Sequence, residues 1–517
     1  MDQPKGWTWQ DRADGSITRG TTLDPDVDPV DGIRAFPTAY LPTRLLVTID
    51  EDTGAFDREV ATLQEAAGSF GWRLEVQEQS PRAGVIADIP WFVRALLTIP
   101  DEPVRGESPV PPDAWRVLQR ARQISKSTMP RTSLEHLLSI DPIGLNPFTR
   151  TNPFTRTNPF TRTNPFTRTN PAGTADYLQP GRGARQPVSW LGAAPARRST
   201  PKRTRRPVVA VLDTGCGAHD WLGDDIVTRH IDLDGTPIGL TDDADPEVYP
   251  DLYGQLDGEI DAVAGHGTFI AGLIRQAAPD ADILSIRIAD ALGVVDESTF
   301  LTTLGQVVEL LRRHRENPRM GHPIDVLNLS LGYYHETPSD GLFSLTLHAL
   351  LTKARELGCV VVCSAGNDAI DRPSFPASLW AWPGADNGIP GDDDPPLVSV
   401  GALNPSARSI ALFSNVGPWV RAYAPGAAVV SCSPAFVGGE QASSRADFDG
   451  LHRETLDPDD YRGGFSVWSG TSFAAPYVAG RIAAQLGFVP PAGVRPEIAR
   501  DAVATVLEGL PTPVVHG

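Results

Sequence analysis

Residues 208–215 read Val-Val-Ala-Val-Leu-Asp-Thr-Gly, and this stretch decides the fold. Its first five residues form an apolar, mostly β-branched run of strand length, and Asp213 follows directly after it. Further apolar runs follow at 283–288, 324–331 and 359–364, with a helical pattern from Phe300 to Leu311 between two of them. Apolar strands that alternate with helices are typical of a parallel sheet covered on both faces, so we predict an α/β fold of that kind.

Three short segments carry candidate catalytic residues: Asp213-Thr214-Gly215, Gly265-His266-Gly267-Thr268 and Gly470-Thr471-Ser472. A serine hydroxyl becomes a good nucleophile when an imidazole accepts its proton, and a carboxylate holds that imidazole in the right tautomer. Each segment alone is weak, since Asp-Thr-Gly also occurs in aspartic proteases and a serine before a helix is usually an N-cap. Together they indicate a serine hydrolase. Their order, Asp, His, Ser, differs from the α/β-hydrolases, which run Ser, acid, His around a Gly-x-Ser-x-Gly elbow.

The region from about 207 to 489 resembles the subtilisin-like serine proteases, the subtilases. Supporting stretches occur in the family's order at 326–332 (Val-Leu-Asn-Leu-Ser-Leu-Gly), 363–367 (Cys-Ser-Ala-Gly-Asn), 398–402 (Val-Ser-Val-Gly-Ala) and 424–426 (Ala-Pro-Gly). The resemblance implies a subtilisin-like fold and a serine endopeptidase that hydrolyses peptide bonds through an acyl-enzyme intermediate. It implies these roles: Ser472 as nucleophile, His266 as general acid and base, Asp213 as orienting carboxylate and Asn367 as oxyanion-hole donor.

The same resemblance implies where a polypeptide substrate binds. Ser330, Leu331 and Gly332 resemble the family's substrate-binding edge, where an extended peptide pairs as an added strand. Ala365 and Gly366 are assigned to the same site on the resemblance.

Ser472 is expected to open a helix. Its backbone N–H and the positive end of that helix would then face a developing oxyanion, with the Asn367 amide as a second donor. Pro476 is expected in the first turn, where a missing N–H costs little.

The chain also departs from the pattern of that family. Phe269 stands where relatives commonly have His, but that position is outside the triad. Insertions near 383–396 and at 438–464 are expected to form surface loops around the cleft, which puts substrate preference beyond reach of the sequence. No cofactor or metal is required by the chemistry. The acidic cluster at 242–245 offers carboxylates that calcium favours, but it lacks regular ligand spacing, so we expect a solvated loop.

Residues 41–140 are predicted to form a small α/β N-terminal domain. Strands near 44–49 and 73–76 flank a helical pattern, and two further helices are expected, starting near Asp113 and Ser133. Because this unit precedes an exposed linker, we expect it to be a propeptide-like inhibitor or a regulatory module that binds a partner.

Low-complexity sequence surrounds this domain. Residues 1–40 are predicted to be a disordered leader, and 141–206 a linker to the peptidase domain at 207–517. The linker contains four copies of Asn-Pro-Phe-Thr-Arg-Thr at 146–169, whose prolines exclude helix and central strand. We favour a spacer without specific function over a binding array. The run at 197–206 has six basic residues and no acid; we favour a solvated or protease-sensitive linker over a nucleic-acid patch.

Composition narrows the environment and the partners. With 64 acidic and 45 basic residues the formal charge is −19, which argues against nucleic acid or an anionic membrane as a partner. The start of the chain lacks the apolar stretch of a secretory signal, so we expect a cytoplasmic protein. The four cysteines are too few for a disulfide framework, and Cys359 and Cys363 would lie about 13 Å apart on one strand, so we expect buried thiols there.

Two other functions remain open from the sequence. One is a regulated protease effector whose N-terminal domain binds a partner and gates the peptidase. The other is a catalytically silent scaffold with the subtilase fold, which we disfavour because all four catalytic positions keep competent residue types.

Overall fold

The computed structural model describes residues 3–16, 20–77, 86, 89–100, 110–140, 174–189, 191–254, 258–337, 344–385 and 387–513. The helices are α1 (Trp9–Ser16), α2 (Thr53–Ser69), α3 (Ala114–Ser125), α4 (His266–Ala277), α5 (Glu297–Glu316), α6 (Leu345–Glu356), α7 (Thr471–Leu486) and α8 (Pro496–Glu508). The strands are β1 (Thr21–Thr22), β2 (Ala39–Ile49), β3 (Arg73–Gln77), β4 (Trp91–Thr98), β5 (Thr132–Ser139), β6 (Gln186–Pro187), β7 (Val208–Asp213), β8 (Val227–Thr228), β9 (Asp232–Leu233), β10 (Thr236–Pro237), β11 (Asp282–Arg287), β12 (Val294–Asp296), β13 (Val326–Leu329), β14 (Val360–Ser364), β15 (Val398–Leu403), β16 (Ala422–Pro425), β17 (Val429–Cys432) and β18 (Phe465–Trp468).

A seven-stranded parallel sheet organises the second half of the chain, in the order β16-β15-β14-β13-β7-β11-β8. Alternate residues of β7 enter two different cores. Ala210 packs with α5, whereas Val209 and Val211 pack with α4 and α7. Both faces of the strand are therefore covered, which explains its uninterrupted apolar sequence and confirms the predicted α/β class.

The N-terminal unit, residues 39–140, is a β-α-β-β-α-β arrangement in which strands β5-β2-β4-β3 form an antiparallel sheet. The predicted strands and the helix starting near Asp113 are present as β2, β3 and α3. The helix expected from Ser133 is wrong, because that segment is β5. Leu134 packs inside the N-terminal unit while Leu138 enters the core of the peptidase sheet. A strand buried on so many sides loses the polar alternation that distinguishes it from a helix.

The leader is more ordered than expected, and the prediction of disorder over 1–40 is wrong for its described residues. Helix α1 docks on the peptidase region: the buried Arg12 guanidinium pairs with Asp251, and Trp7 Nε1 donates to the carbonyl of Leu252 at 3.1 Å. Strand β1 pairs with β2. The Trp7 and Arg12 contacts join residues more than 200 positions apart, which is why no local periodicity indicated them.

The end of the linker is also packed, whereas the hexapeptide repeat at 146–169 lies outside the described residues. The basic run is ion-paired with the acidic peptidase region: Arg198 Nε lies 2.6 Å from Asp280 Oδ2 and Arg205 Nη1 2.5 Å from Asp325 Oδ2. Arg197, Arg205 and Arg206 are half-buried against carboxylates of their own chain, so the expected solvated linker does not hold at these three positions, whereas residues 198–203 are exposed.

All four cysteines are free and buried, as expected for Cys359 and Cys363. Among the described helices, none combines the length and the apolar character needed to cross a membrane.

Candidate active site

Strand β7 lies where the order of the sheet reverses, since β11 follows it on one side and β13 on the other. Ligand sites of α/β sheets lie beyond the carboxyl ends of strands at such a point. Asp213 is the last residue of β7, His266 the first of α4 and Ser472 the second of α7. The fold thus brings the three predicted residues to one edge of the sheet.

Asp213 and His266 form a buried pair. His266 Nδ1 lies 2.8 Å from Asp213 Oδ1, and the Thr214 N–H donates to the same oxygen at 2.8 Å. A carboxylate on Nδ1 keeps the proton there and leaves Nε2 as the basic atom. Two residues that the sequence predicted from separate segments are therefore in direct hydrogen-bond contact.

Aromatic rings back the imidazole. The His266 ring centroid is 5.5 Å from Trp468 and 5.1 Å from Phe473, and Phe269 packs against both of those rings at 5.8 and 4.5 Å. Phe269, the position that departs from the family, is therefore part of the apolar wall behind His266. No sequence pattern indicated that Trp468 is one of the aromatic residues packed against His266.

Ser472 lies at the buried start of α7, and its Oγ is 3.5 Å from the Ser330 carbonyl, a long contact. Pro476 lies one turn further into the helix than expected. Because it has no N–H, the Ser472 carbonyl lacks its usual partner four residues on, and Ser330 Oγ donates to that carbonyl instead at 2.9 Å. Ser330 thus supports the start of α7 from the neighbouring strand end.

The Asn367 amide is held in one orientation. Its Oδ1 accepts the Thr471 N–H at 2.8 Å and the Thr471 hydroxyl at 2.9 Å, so its Nδ2 is turned to the opposite side. Gly366 donates its N–H to Thr471 Oγ at 3.1 Å, and Ala365 accepts from Ser374 and Asn415. The Ala365 carbonyl and the Gly366 N–H therefore form hydrogen bonds within the protein that support the site.

The predicted substrate edge is occupied by the N-terminal unit. Gly332 exchanges both backbone hydrogen bonds with Ser139 at the end of β5, at 2.9 and 3.0 Å, while Ile140 donates to the Gly293 carbonyl at 2.8 Å. Residues 139–140 thus run as an extended chain between two edges of the peptidase unit. Ser330 and Leu331 are buried beside them.

Glu247 is a site residue that the sequence reasoning missed. This buried side chain accepts hydrogen bonds from Thr214, Thr268 and Gly267, so it lies directly behind Asp213 and His266. Burial raises the pKa of Glu247 to about 7, against the lowering effect of the two hydroxyl donors. No spacing rule connects it to either segment, so no sequence signal indicates it.

The described residues contain one cluster with metal-ligand chemistry, formed by His136, His335 and Glu336 at the contact with the N-terminal unit. Each ring nitrogen of His136 lies 2.6 Å from a carboxylate oxygen, Nδ1 from Glu297 and Nε2 from Glu336. His335 Nδ1 accepts the Thr337 N–H at 3.1 Å. These are hydrogen-bond contacts to an imidazole, and they fit a proton on each nitrogen of His136 better than a metal ion.

The acidic cluster at 242–245 surrounds an arginine. Arg287 donates to the carbonyls of Asp242 and Ala244, each at 2.7 Å, and its guanidinium lies 2.9 Å from Asp242 Oδ1. A side-chain cation therefore takes the oxygens that a calcium ion would need in this loop.

The fold and this site define the class, an α/β protein with the residue set of a serine hydrolase in the chain order Asp, His, Ser. Comparison with known proteins narrows the class: the family model described as the subtilase family matches residues 204–505. The chain belongs to the subtilase family.

The chain is similar to two curated proteases and to one solved structure. The intracellular serine protease of Paenibacillus polymyxa is 29% identical over 297 residues, which cover 54% of this chain and 67% of that protein. Serine protease AprX of Bacillus subtilis (strain 168) is 28% identical over 292 residues, 53% of this chain and 55% of that protein. Fervidolysin from Fervidobacterium pennivorans, described as a keratinolytic enzyme related to subtilisin, is a structural match at 18% identity with a TM-score of 0.44, over 91% of this chain and 62% of that one.

Proposed function

We propose that this protein is a serine endopeptidase that cleaves polypeptides through an acyl-enzyme intermediate, with Ser472, His266 and Asp213 as the triad. The observation that carries the proposal is the buried Asp213–His266 pair at the start of α4, beside the helix that begins at Thr471. Membership of the subtilase family supports the same chemistry.

In the proposed mechanism, Ser472 Oγ turns from the Ser330 carbonyl toward Nε2 of His266 and attacks the scissile carbonyl as the imidazole takes its proton. Catalytic hydrogen bonds are often long before substrate binds, so the 3.5 Å contact of Oγ is compatible with this step. The oxyanion then faces the Ser472 N–H at the positive end of α7 and the Nδ2 of Asn367. His266 returns the proton to the leaving amine, and water repeats the sequence to release the acid. The residues supply this chemistry without a cofactor.

The test is whether labelling and hydrolysis both depend on the Ser472 hydroxyl. A fluorophosphonate probe should label the wild-type protein at Ser472, and Ser472→Ala should abolish both labelling and hydrolysis of a generic protein substrate. Ser399→Ala is a matched control, because it removes another buried serine hydroxyl, on β15, which donates to the Trp419 carbonyl. Hydrolysis that persists in purified Ser472→Ala protein would refute the assignment.

We further propose that residues 39–140 act as an intramolecular inhibitor of this peptidase. The support is the strand pair between Ser139 and Gly332, because an extended peptide on that edge excludes a substrate from it. Mass spectrometry of wild-type and Ser472→Ala protein tests self-processing: cleavage between 140 and 174 in the wild type alone is the expected result.

Ser139→Pro tests the contact itself. It removes the N–H that donates to Gly332, whereas Ser139→Ala keeps that bond and serves as the control. Higher peptidase activity in Ser139→Pro than in Ser139→Ala is expected. Equal activity of the two variants would favour the alternative in which this unit binds a separate partner.

Action inside the cell is part of the same proposal. It is supported by four unpaired cysteines and by similarity to a relative named an intracellular serine protease. Its substrates would be polypeptides.

A further inference from the structure

Glu247 is a buried carboxyl group whose hydrogen bonds all lead toward the proposed triad. Its Oε1 lies 2.5 Å from the Thr214 hydroxyl and 3.0 Å from the Gly267 N–H, which follows His266. Its Oε2 accepts from the Thr268 hydroxyl at 2.5 Å. Glu247 and Asp213 therefore share one intermediary, Thr214.

Thr214 has one hydroxyl proton and two carboxylates within reach. Its Oγ lies 2.5 Å from Glu247 Oε1 and 3.2 Å from Asp213 Oδ1, and it accepts the Gly267 N–H at 2.8 Å. When Glu247 is ionised, the shorter contact takes the hydroxyl proton. When Glu247 Oε1 is protonated, it donates to Thr214 Oγ, and the hydroxyl proton turns to Asp213.

We propose that Glu247 is a positioning residue that sets, through Thr214, how strongly Asp213 supports His266, and that it does so by its own protonation state. The inference rests on the proposed triad and extends it by one residue. Protonation of Glu247 removes a negative charge behind Asp213 and adds a hydrogen bond to that carboxylate. Both changes make Asp213 a weaker partner for an imidazolium, so His266 becomes a weaker base.

The environment places this change in the working range of a histidine. Burial raises the pKa of Glu247 to about 7, with Asp245 and Asp213 adding to the rise and Thr214 and Thr268 opposing it. The other titratable or charged groups near Glu247 are Cys216 and, beside Gly215, Arg287. Of these, the Cys216 thiol has a pKa raised by burial to about 12, so it stays neutral. A unit charge two hydrogen bonds away should shift the titration of the site by about one pH unit.

The test uses the full-length protein and the second-order rate of Ser472 labelling by a fluorophosphonate between pH 5 and 9.5. Wild-type protein should show two ionisations on the acid limb, one of them near pH 7. Glu247→Gln protein should show one ionisation on this limb. The pH midpoint of its labelling rate should be lower than in the wild type by about one pH unit, and its maximal labelling rate should be roughly threefold to tenfold lower. Glu309→Gln, in an ion-paired carboxylate of α5, is the matched control and should keep the wild-type profile.

A readout independent of catalysis separates this inference from the proposed function. In Ser472→Ala protein, the low-field proton resonance of His266 Nδ1 should follow two ionisations, and adding Glu247→Gln should leave one. A single ionisation in both proteins overturns the role of Glu247, as does a rate loss in Glu247→Gln that is uniform across pH. If neither wild-type nor Ser139→Pro protein is labelled while the resonance still follows two ionisations, the peptidase assignment fails and the coupling stands.

Discussion

Raising the pH should loosen the contact between the N-terminal unit and the peptidase sheet, because that contact encloses a histidine between two carboxylates. His136 of β5 is fully buried, with Nδ1 2.6 Å from Glu297 and Nε2 2.6 Å from Glu336. Burial alone would lower the pKa of His136, but the two carboxylates outweigh it and raise that pKa to about 10. Docked His136 is therefore an imidazolium at neutral pH.

The other groups around His136 do not titrate against it in this range. The pKa of His335 is lowered to about 4 by burial, so that ring is neutral. Burial opposes ionisation of Glu336, but His335 and His136 outweigh it and hold the pKa of Glu336 well below its usual value. Tyr333, 4.6 Å from His136 between ring centroids, has its pKa raised by burial and stays protonated. The linkage therefore belongs to His136.

The direction and size of the pH effect on docking follow from the pKa of His136 in the docked and undocked states. In an undocked unit His136 is exposed and titrates near its ordinary value of about 6.5. Its contribution to docking is fully present below about pH 6.5 and is lost as the pH rises toward about 10. Each pH unit in that window removes up to about 1.4 kcal/mol, so docking should weaken by about 2 to 4 kcal/mol between pH 6.5 and 9.5.

Hydrogen exchange in full-length Ser472→Ala protein measures the effect without self-cleavage. Protection of the Ser139 and Ile140 amides, corrected for intrinsic exchange, should fall about 30-fold or more between these pH values relative to amides of β7. His136→Gln should show low protection that does not change with pH. The control is His452→Gln, since His452 also contacts two carboxylates but is exposed. Wild-type protection that is the same at both pH values would refute the reasoning.

Three further outcomes are expected. Asn367→Ala should lower kcat by about 10²–10³, a magnitude carried over from the family's oxyanion donors, with little change in KM; an unchanged kcat would remove Asn367 from the mechanism. Arg205→Ala should lower the free energy of unfolding by about 3 kcal/mol in denaturant titrations, because it leaves the buried Asp325 carboxylate without its main ion pair. Arg198 is exposed, so Arg198→Ala should change that free energy by about 0.5 kcal/mol or less. Similar losses in the two variants would contradict this reasoning. Arg185→Ala should reduce both thermal stability and kcat/KM, because this guanidinium donates to the carbonyls of Ile260, Asp261 and Ala264 just before His266. Unaltered kinetics would show that the loop before His266 keeps its conformation without Arg185.

The sequence predicted four of the seven strands of the peptidase sheet, β7, β11, β13 and β14, because each carries an apolar run of its own; it did not predict β8, β15 and β16 as strands. The apolar run of β7 and the segments around His266 and Ser472 are local patterns, and they were found where the structure has them. Strand β5 was misread because it is buried against two cores, which makes its leucines look helical. The positions of Glu247 and His136 depend on partners distant in the chain, so no periodicity contains them.

The segment that follows the repeat contains β6 and Gly183, and it contacts the residues just before Ser472. Strand β6 pairs with β18, which leads directly to the nucleophile, and Ser469 Oγ donates to the Gly183 carbonyl at 2.7 Å. A cut between 140 and 174 would release the N-terminal unit and leave every one of these contacts on the remaining enzyme. A cut after 188 would strip β18 of one neighbour. Under the self-processing proposed above, the chain divides at about residue 174 into a part that the cut discards and a part that keeps the contacts of β6 and Ser469.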